Sequence, residues 1–252
     1  MTWIAEMMAL STGEALALAA ICFVAGLVRG FSGFALSAMI MACAVLILPP
    51  VYLIPICSLL EAMASLLMFK GGSRNGDWPM VWRLTAGVVV GTPLGLYLTT
   101  TLPVDQSRML ALAVVLALAA LQLARLRLPA LGTPFGTYVA GTVSGVASGL
   151  ASVGGMVIAL FVLSQNAAAA RMRATLVLYL AVTILVGWFW LIYFDMLTVQ
   201  ALIRAAFMAL PVTLGVLIGA QGFTPKFEHL YRPFCLCLLV GLAGLGLVRM
   251  AF

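Results

Sequence analysis

Nowhere in this chain does a polar stretch between apolar runs grow long enough to make a soluble domain. Soluble domains carry roughly 25% charged residues as their shell. Here only 8% of the 252 residues are charged, and 65% are hydrophobic. With a mean hydropathy of +1.21, the solvent for most side chains is lipid. In lipid, backbone polar groups must be satisfied inside the protein, which favours helices. The expected fold is all-α: a polytopic membrane helix bundle of eight to ten hydrophobic segments, forming one integral membrane domain. Soluble enzymes, nucleic-acid readers, disordered chains and pumps with their own nucleotide-binding domain are excluded. The net charge of +6 is topological, because basic residues gather in the loops of membrane proteins.

Charges, prolines and glycines divide the chain. The segments run from about Gly13 to Arg29, Phe34 to Leu48, Val51 to Phe69, Pro79 to Thr100 and Arg108 to Leu123 in the first half. In the second half they run from Thr133 to Gly149, Gly155 to Leu163, Arg173 to Phe194, Val199 to Ala220 and Pro233 to Met250. Pro49-Pro50 is a hard break, and Lys226, Glu228, His229 and Arg232 mark the last loop. A span needs ~20 apolar residues. The segment ending at Leu163 is far too short, and the one ending at Leu48 is marginal. Short apolar segments beside glycine clusters suggest re-entrant half-helices with tips inside the protein.

Placing the N-terminus outside puts Lys70, Arg74, Arg125, Arg127, Arg171, Arg173, Lys226 and Arg232 inside. Glu6, Glu14, Asp105 and Asp195 then fall outside, with Arg108 and Arg249 as exceptions. The opposite orientation reverses the positive-inside bias. A secretory leader begins with positive charge, whereas this N-terminus is acidic, so the first segment is expected to be retained.

The halves resemble each other. Gly26-Leu-Val-Arg-Gly30-Phe-Ser-Gly33 lies on Gly145-Val-Ala-Ser-Gly149-Leu-Ala-Ser152 without a gap. Arg83 follows Trp78 by the same interval that separates Arg204 from Val199, and Pro93 and Pro211 fall in the same region of each half. An odd number of segments per half makes the repeat inverted, with residues 1–127 as the first copy and 128–252 as the second. Two hairpins related by a pseudo-twofold axis in the membrane plane are expected. Inverted repeats with broken helices are a signature of secondary transporters.

Gly30-Phe-Ser-Gly-Phe34, Ser148-Gly-Leu-Ala-Ser-Val-Gly-Gly155 and Arg171-Met-Arg-Ala-Thr175 resemble the sulfite exporter TauE/SafE family, also called the toluene sulfonate uptake permease family. The resemblance covers nearly the whole chain. Two departures bear on site shape: Phe34-Ala-Leu-Ser replaces the family's glycine run, and Ala-Ser stands where a phenylalanine-glycine pair is common. The resemblance implies a multi-pass transporter of the bacterial cytoplasmic membrane, with a periplasmic N-terminus by the charge reading. It would move sulfite, sulfonates or similar small anions by alternating access, without chemistry on them. An anion channel is the alternative, because channels also line pores with half-helices. The partners are then a small anionic substrate and lipid, with no nucleic acid and no cofactor. Proton or sodium coupling, and homo-oligomerisation, are open.

Arg29, beside Gly30 at a hairpin tip, is the main candidate for the anion. A charge at membrane depth needs a partner or a watery cavity, and a guanidinium forks onto oxyanions; the plainer alternative is a topology marker. Gly30, Gly33, Gly149, Gly154 and Gly155 would let backbone N–H groups approach an anion. Ser32, Ser148 and Ser152 add hydroxyls, unless these serve only packing or local backbone bonds. Glu61, an acid deep in an apolar segment, is either a proton-coupling carboxylate or an ion-pair partner for Arg29 or another arginine. Arg83 and Arg204 would draw anions into two vestibules or snorkel to the interface. Glycines at four-residue spacing read as helix contacts. Gly30-Phe-Ser32-Gly33 also spells a rhomboid-protease motif. Ser32 has no evident base, since His229 lies in a loop, so no enzymatic role and no catalytic residue is assigned. The five cysteines, Cys22, Cys43, Cys57, Cys235 and Cys237, read as small buried hydrophobes and not as metal ligands.

Overall fold

The computed structural model describes residues 7–32, 35–68, 76–124, 133–163, 169–221 and 228–251. At 31–32, 162–163, 169–174, 177, 228–235 and 250–251 it describes the backbone alone. Among the described residues there are ten helices and no strand. They are α1 (Thr12–Ser32), α2 (Leu36–Ala44), α3 (Pro50–Met68), α4 (Trp78–Thr101), α5 (Val104–Leu123), α6 (Pro134–Ala151), α7 (Gly154–Leu163), α8 (Ala169–Tyr193), α9 (Val199–Gln221) and α10 (Glu228–Ala251).

Five helices, α1, α3, α4, α5 and α9, are long and apolar enough to cross a membrane. Leu66 and Phe135 are 75% and 77% exposed, while Ser144 and Arg29 are 0% and 3% exposed. Large apolar side chains outside and polar ones inside invert the arrangement of a soluble protein, as a lipid solvent requires. The chain is a polytopic helical membrane protein.

Several helix ends have identifiable causes. Asp77 caps α4 by accepting the Met80 N–H at 3.1 Å, with Pro79 in the first turn. Thr133 caps α6 by accepting from the Gly136 N–H at 3.0 Å, followed by Pro134. Both are N-cap side chains ahead of a proline that lacks an N–H to lose. Four boundaries differ from the sequence expectation. The second segment was expected to reach Leu48, but α2 has 9 residues and stops at Ala44. There the N–H groups of Ile47 and Leu48 turn back to the Ala44 carbonyl ahead of Pro49. Helix α5 starts at Val104, earlier than Arg108, because Pro103 serves as its N-cap. Helix α8 starts at Ala169, earlier than Arg173, and α10 at Glu228, so Arg171, Glu228, His229 and Arg232 belong to helices and not to loops. Cys237 is exposed, unlike the buried Cys22 and Cys57, so it is not a core residue.

The most extensive helix contacts are α4 on α6 and α9 on α1. Glycine is the reason. A Cβ on Gly149 would lie 2.5 Å from the Leu96 N, and one on Gly145 2.7 Å from the Thr92 N. On the other seam, Cβ atoms on Gly26 and Gly30 would each lie 2.5 Å from a carbonyl oxygen, of Val212 and Val216. Small residues at four-residue spacing let backbones touch, which supplies the dispersion contact that drives association in lipid. Exchanging α1–α5 with α6–α10 maps the most extensive helix contacts onto one another: α4–α6 becomes α9–α1, α4–α8 becomes α9–α3, and α5–α10 maps onto itself.

Because the obstacle at each seam is backbone, side-chain rotation cannot relieve it. Gly145→Ala is expected to lower stability by about 2–3 kcal/mol, seen as an earlier thermal melt in detergent. Gly241→Ala, where a Cβ meets nothing within 4 Å, is expected to leave the melt unchanged or slightly raised.

Candidate anion site between the hairpin tips

At about 1.5 Å per residue, the 9 residues of α2 and the 10 of α7 reach only about half of a ~30 Å hydrocarbon core. Each follows a helix, α1 or α6, and packs against it. The N-cap of α2, Ala35 at φ 75°, and the C-cap of α6, Ser152 at φ 57°, are in the left-handed region. Non-glycine residues rarely adopt that conformation.

Both tips border one cavity, enclosing about 940 Å³ of space that is partly open to solvent. Its walls take one face of α3, through Ile54, Ser58, Glu61 and Ser65, and one face of α8, through Leu176, Tyr179, Thr183 and Gly187. Of the residues singled out from sequence, the fold brings Arg29, Glu61, Ser148, Ser152, Gly154 and Gly155 together in its lining.

At the first tip, Arg29 Nη2 lies 3.2 Å from Glu61 Oε2 and donates to Ser65 Oγ at 3.1 Å. Glu61 Oε1 accepts from the Ser37 N–H at 3.3 Å and from Ser37 Oγ at 3.1 Å. Ser37 is the second residue of α2, whose own N-cap, Ala35, has no capping side chain. Glu61 therefore supplies from α3 the carboxylate that a helix N-terminus attracts. Of the two readings of Glu61, this geometry is that of the ion pair with Arg29. Arg29 Nε remains buried without a hydrogen-bond partner.

The second tip uses neutral groups. Ser144 Oγ donates to the Gly154 carbonyl at 2.8 Å and lies 2.7 Å from Tyr179 Oη. Gln122 Nε2 donates to the Met156 carbonyl at 2.9 Å. A Cβ on Gly154 would run into the Ser144 and Ser148 hydroxyls, so the tip requires glycine there. At Gly155 a Cβ would meet only Leu180 Cδ2, at 3.4 Å, an ordinary contact, so that position has room for a Cβ. Each half thus joins its first helix, its third helix and the start of its short helix, with charge in one half and hydroxyls in the other.

The remaining candidates sit elsewhere. Gly30 and Gly149 do not line the cavity; the backbones of α9 and α4 occupy the space their side chains would take. Arg83 is half-buried on α4, outside the lining. Arg204 is also outside it: its Nε donates to the Met8 carbonyl at 2.8 Å and its guanidinium lies 5.7 Å from the Tyr52 ring centre, a cation–π arrangement. The Ser32 side chain and Gly33 lie outside the described residues. Sequence reasoning missed Ser37, Ser58, Ser65, Thr92, Tyr179 and Thr183, all on the cavity wall. For α3 a signal existed: Ile54, Ser58, Glu61 and Ser65 recur at helical spacing and put hydroxyls on the face of the half-buried acid Glu61.

The family model for sulfite exporter TauE/SafE matches residues 18–246 of the chain. No curated protein and no solved structure matches it.

Removing one member of the Arg29–Glu61 pair strands the other charge. Arg29→Leu or Glu61→Leu is expected to cost about 3 kcal/mol each. The double substitution is expected to cost clearly less than the sum of the two, measured as a double-mutant cycle from unfolding in detergent.

Proposed function

The chain belongs to the sulfite exporter TauE/SafE family of membrane transporters, and from that premise we propose that it is a secondary transporter of a small sulfur-containing or organic anion. The cavity between the tips is the transport site in this reading. One observation carries it: two short helices with strained starts, an arginine and a set of hydroxyls converge on a single cavity. Oriented N–H groups and hydroxyls recognise an oxyanion without chemistry on it. The exchange symmetry of the most extensive helix contacts supports residues 1–127 and 128–252 as inverted repeats. Such repeats alternate access by rocking one packed unit against another around a fixed site. The charge distribution supports a periplasmic N-terminus in a bacterial cytoplasmic membrane. Glu61 acts as the standing partner of Arg29, consistent with their 3.2 Å contact, and not as the carrier of a coupling proton.

Proteoliposomes loaded with sulfite or methanesulfonate test this. Gly155→Val, which adds bulk to the wall where there is room for a Cβ, is expected to cut flux by about tenfold or more while leaving the melt near the parent's. Single-channel currents, orders of magnitude above transporter flux, would favour a channel. Glu61→Gln is expected to keep the parent's pH profile for methanesulfonate, which does not itself titrate near neutrality. A flattened profile would make Glu61 the proton carrier.

A further inference from the structure

Among the described lining residues only Arg29 and Glu61 carry formal charge, and the two cancel. The Glu61 carboxylate also holds the start of α2 through Ser37, which is where a free anion would bind. It is a built-in anion. The start of α7 has none. The Gly154 and Gly155 N–H groups have no partner among the described residues, and both glycines line the cavity beside Ser148 and Ser152. On the α4 wall of the same cavity the Thr92 hydroxyl is buried, with Thr92 only 4% exposed, and has no partner. Other threonines of α4 behave differently: Thr85, Thr99, Thr100 and Thr101 each donate to the carbonyl four residues back. A buried hydroxyl without such a bond costs stability unless something else accepts from it.

Resting on the transport-site reading above, we infer that the cavity selects by charge number. It takes a monoanion at the start of α7 and rejects dianions, and Glu61 sets that limit by neutralising Arg29. Desolvation of an ion rises with the square of its charge, so a dianion costs about four times what a monoanion of equal size costs. N–H and hydroxyl dipoles return only about twice as much for the doubled charge. Without net positive charge in the lining, that difference is not offset, and Glu61 repels the second charge. The substrate class is a singly charged oxyanion such as a sulfonate, hydrogen sulfite or carboxylate.

Methanesulfonate and sulfate present the same three-oxygen face and differ in charge, so calorimetry with both on folded, monodisperse protein is the test. The parent is expected to bind methanesulfonate at least about tenfold more tightly than sulfate. Glu61→Gln leaves the Arg29 charge uncompensated and is expected to shift the ratio toward sulfate by on the order of tenfold or more. Arg29→Gln/Glu61→Gln restores a neutral cavity, is expected to restore the parent's preference, and serves alone if the single variant does not fold. An unmoved ratio in a folded Glu61→Gln overturns the inference. So does loss of methanesulfonate binding in the double variant, which would make Arg29 a direct ligand. Failure of the underlying site reading looks different: the parent binds neither anion, or Gly155→Val leaves both affinities intact, and both readings then fall together.

Discussion

The two glycine seams are the constraint on which the rest of the structure depends. Lipid provides no hydrophobic force between helices, so close backbone contact must supply the association. At α4–α6 and α9–α1 the helices approach until carbonyls and amides of one stand where a side chain of the other would be. Both seams join helices from different halves of the chain. They hold α1 and α6 in place, and the short helices that follow reach the same cavity from different parts of the sequence.

Stopping a helix inside a membrane protein leaves polar groups that water cannot satisfy. The first tip meets this with charge: Glu61 takes the donors of Ser37 at the start of α2 and neutralises Arg29. At the second tip Ser144 and Gln122 donate to carbonyls at the start of α7, and the Tyr179 hydroxyl pairs with that of Ser144. Buried ion pairs contribute little net stability but are costly to break. Such a pair at a cavity wall therefore makes more sense as a way of setting local charge than as a strut. The neutral tip keeps its N–H groups available, and that difference makes the two ends of one cavity unequal despite similar helix paths.

Legibility followed the cost of misplacing a group. Arg29 and Glu61 stood out because charges inside apolar segments are expensive, and the fold pairs them. The brevity of α7 was readable, because Ser164-Gln165-Asn166 ends the apolar run. That of α2 was only partly so, because apolar residues continue to Leu48 through a non-helical turn. The start of α10 was misread because charges usually mark loops, yet a helical first turn carries them as well. Hydroxyls such as Ser37 and Thr92 gave little signal, because in apolar helices most bond back to their own backbone.

Composition alone determined a helical membrane protein, because hydrocarbon admits few ways to satisfy a backbone. The glycine spacing determined that helices would touch closely, but not which face each glycine served. Gly30 and Gly149 have the same local pattern that anion-binding loops use, and here they pack against α9 and α4. Only tertiary structure decides between those roles, because a missing side chain opens space equally to a ligand or to another backbone. It also decided that Arg204 ends on the Met8 carbonyl and the Tyr52 ring while Arg29 ends on Glu61. A buried charge must find a partner, and which partner is within reach depends on residues far apart in the chain.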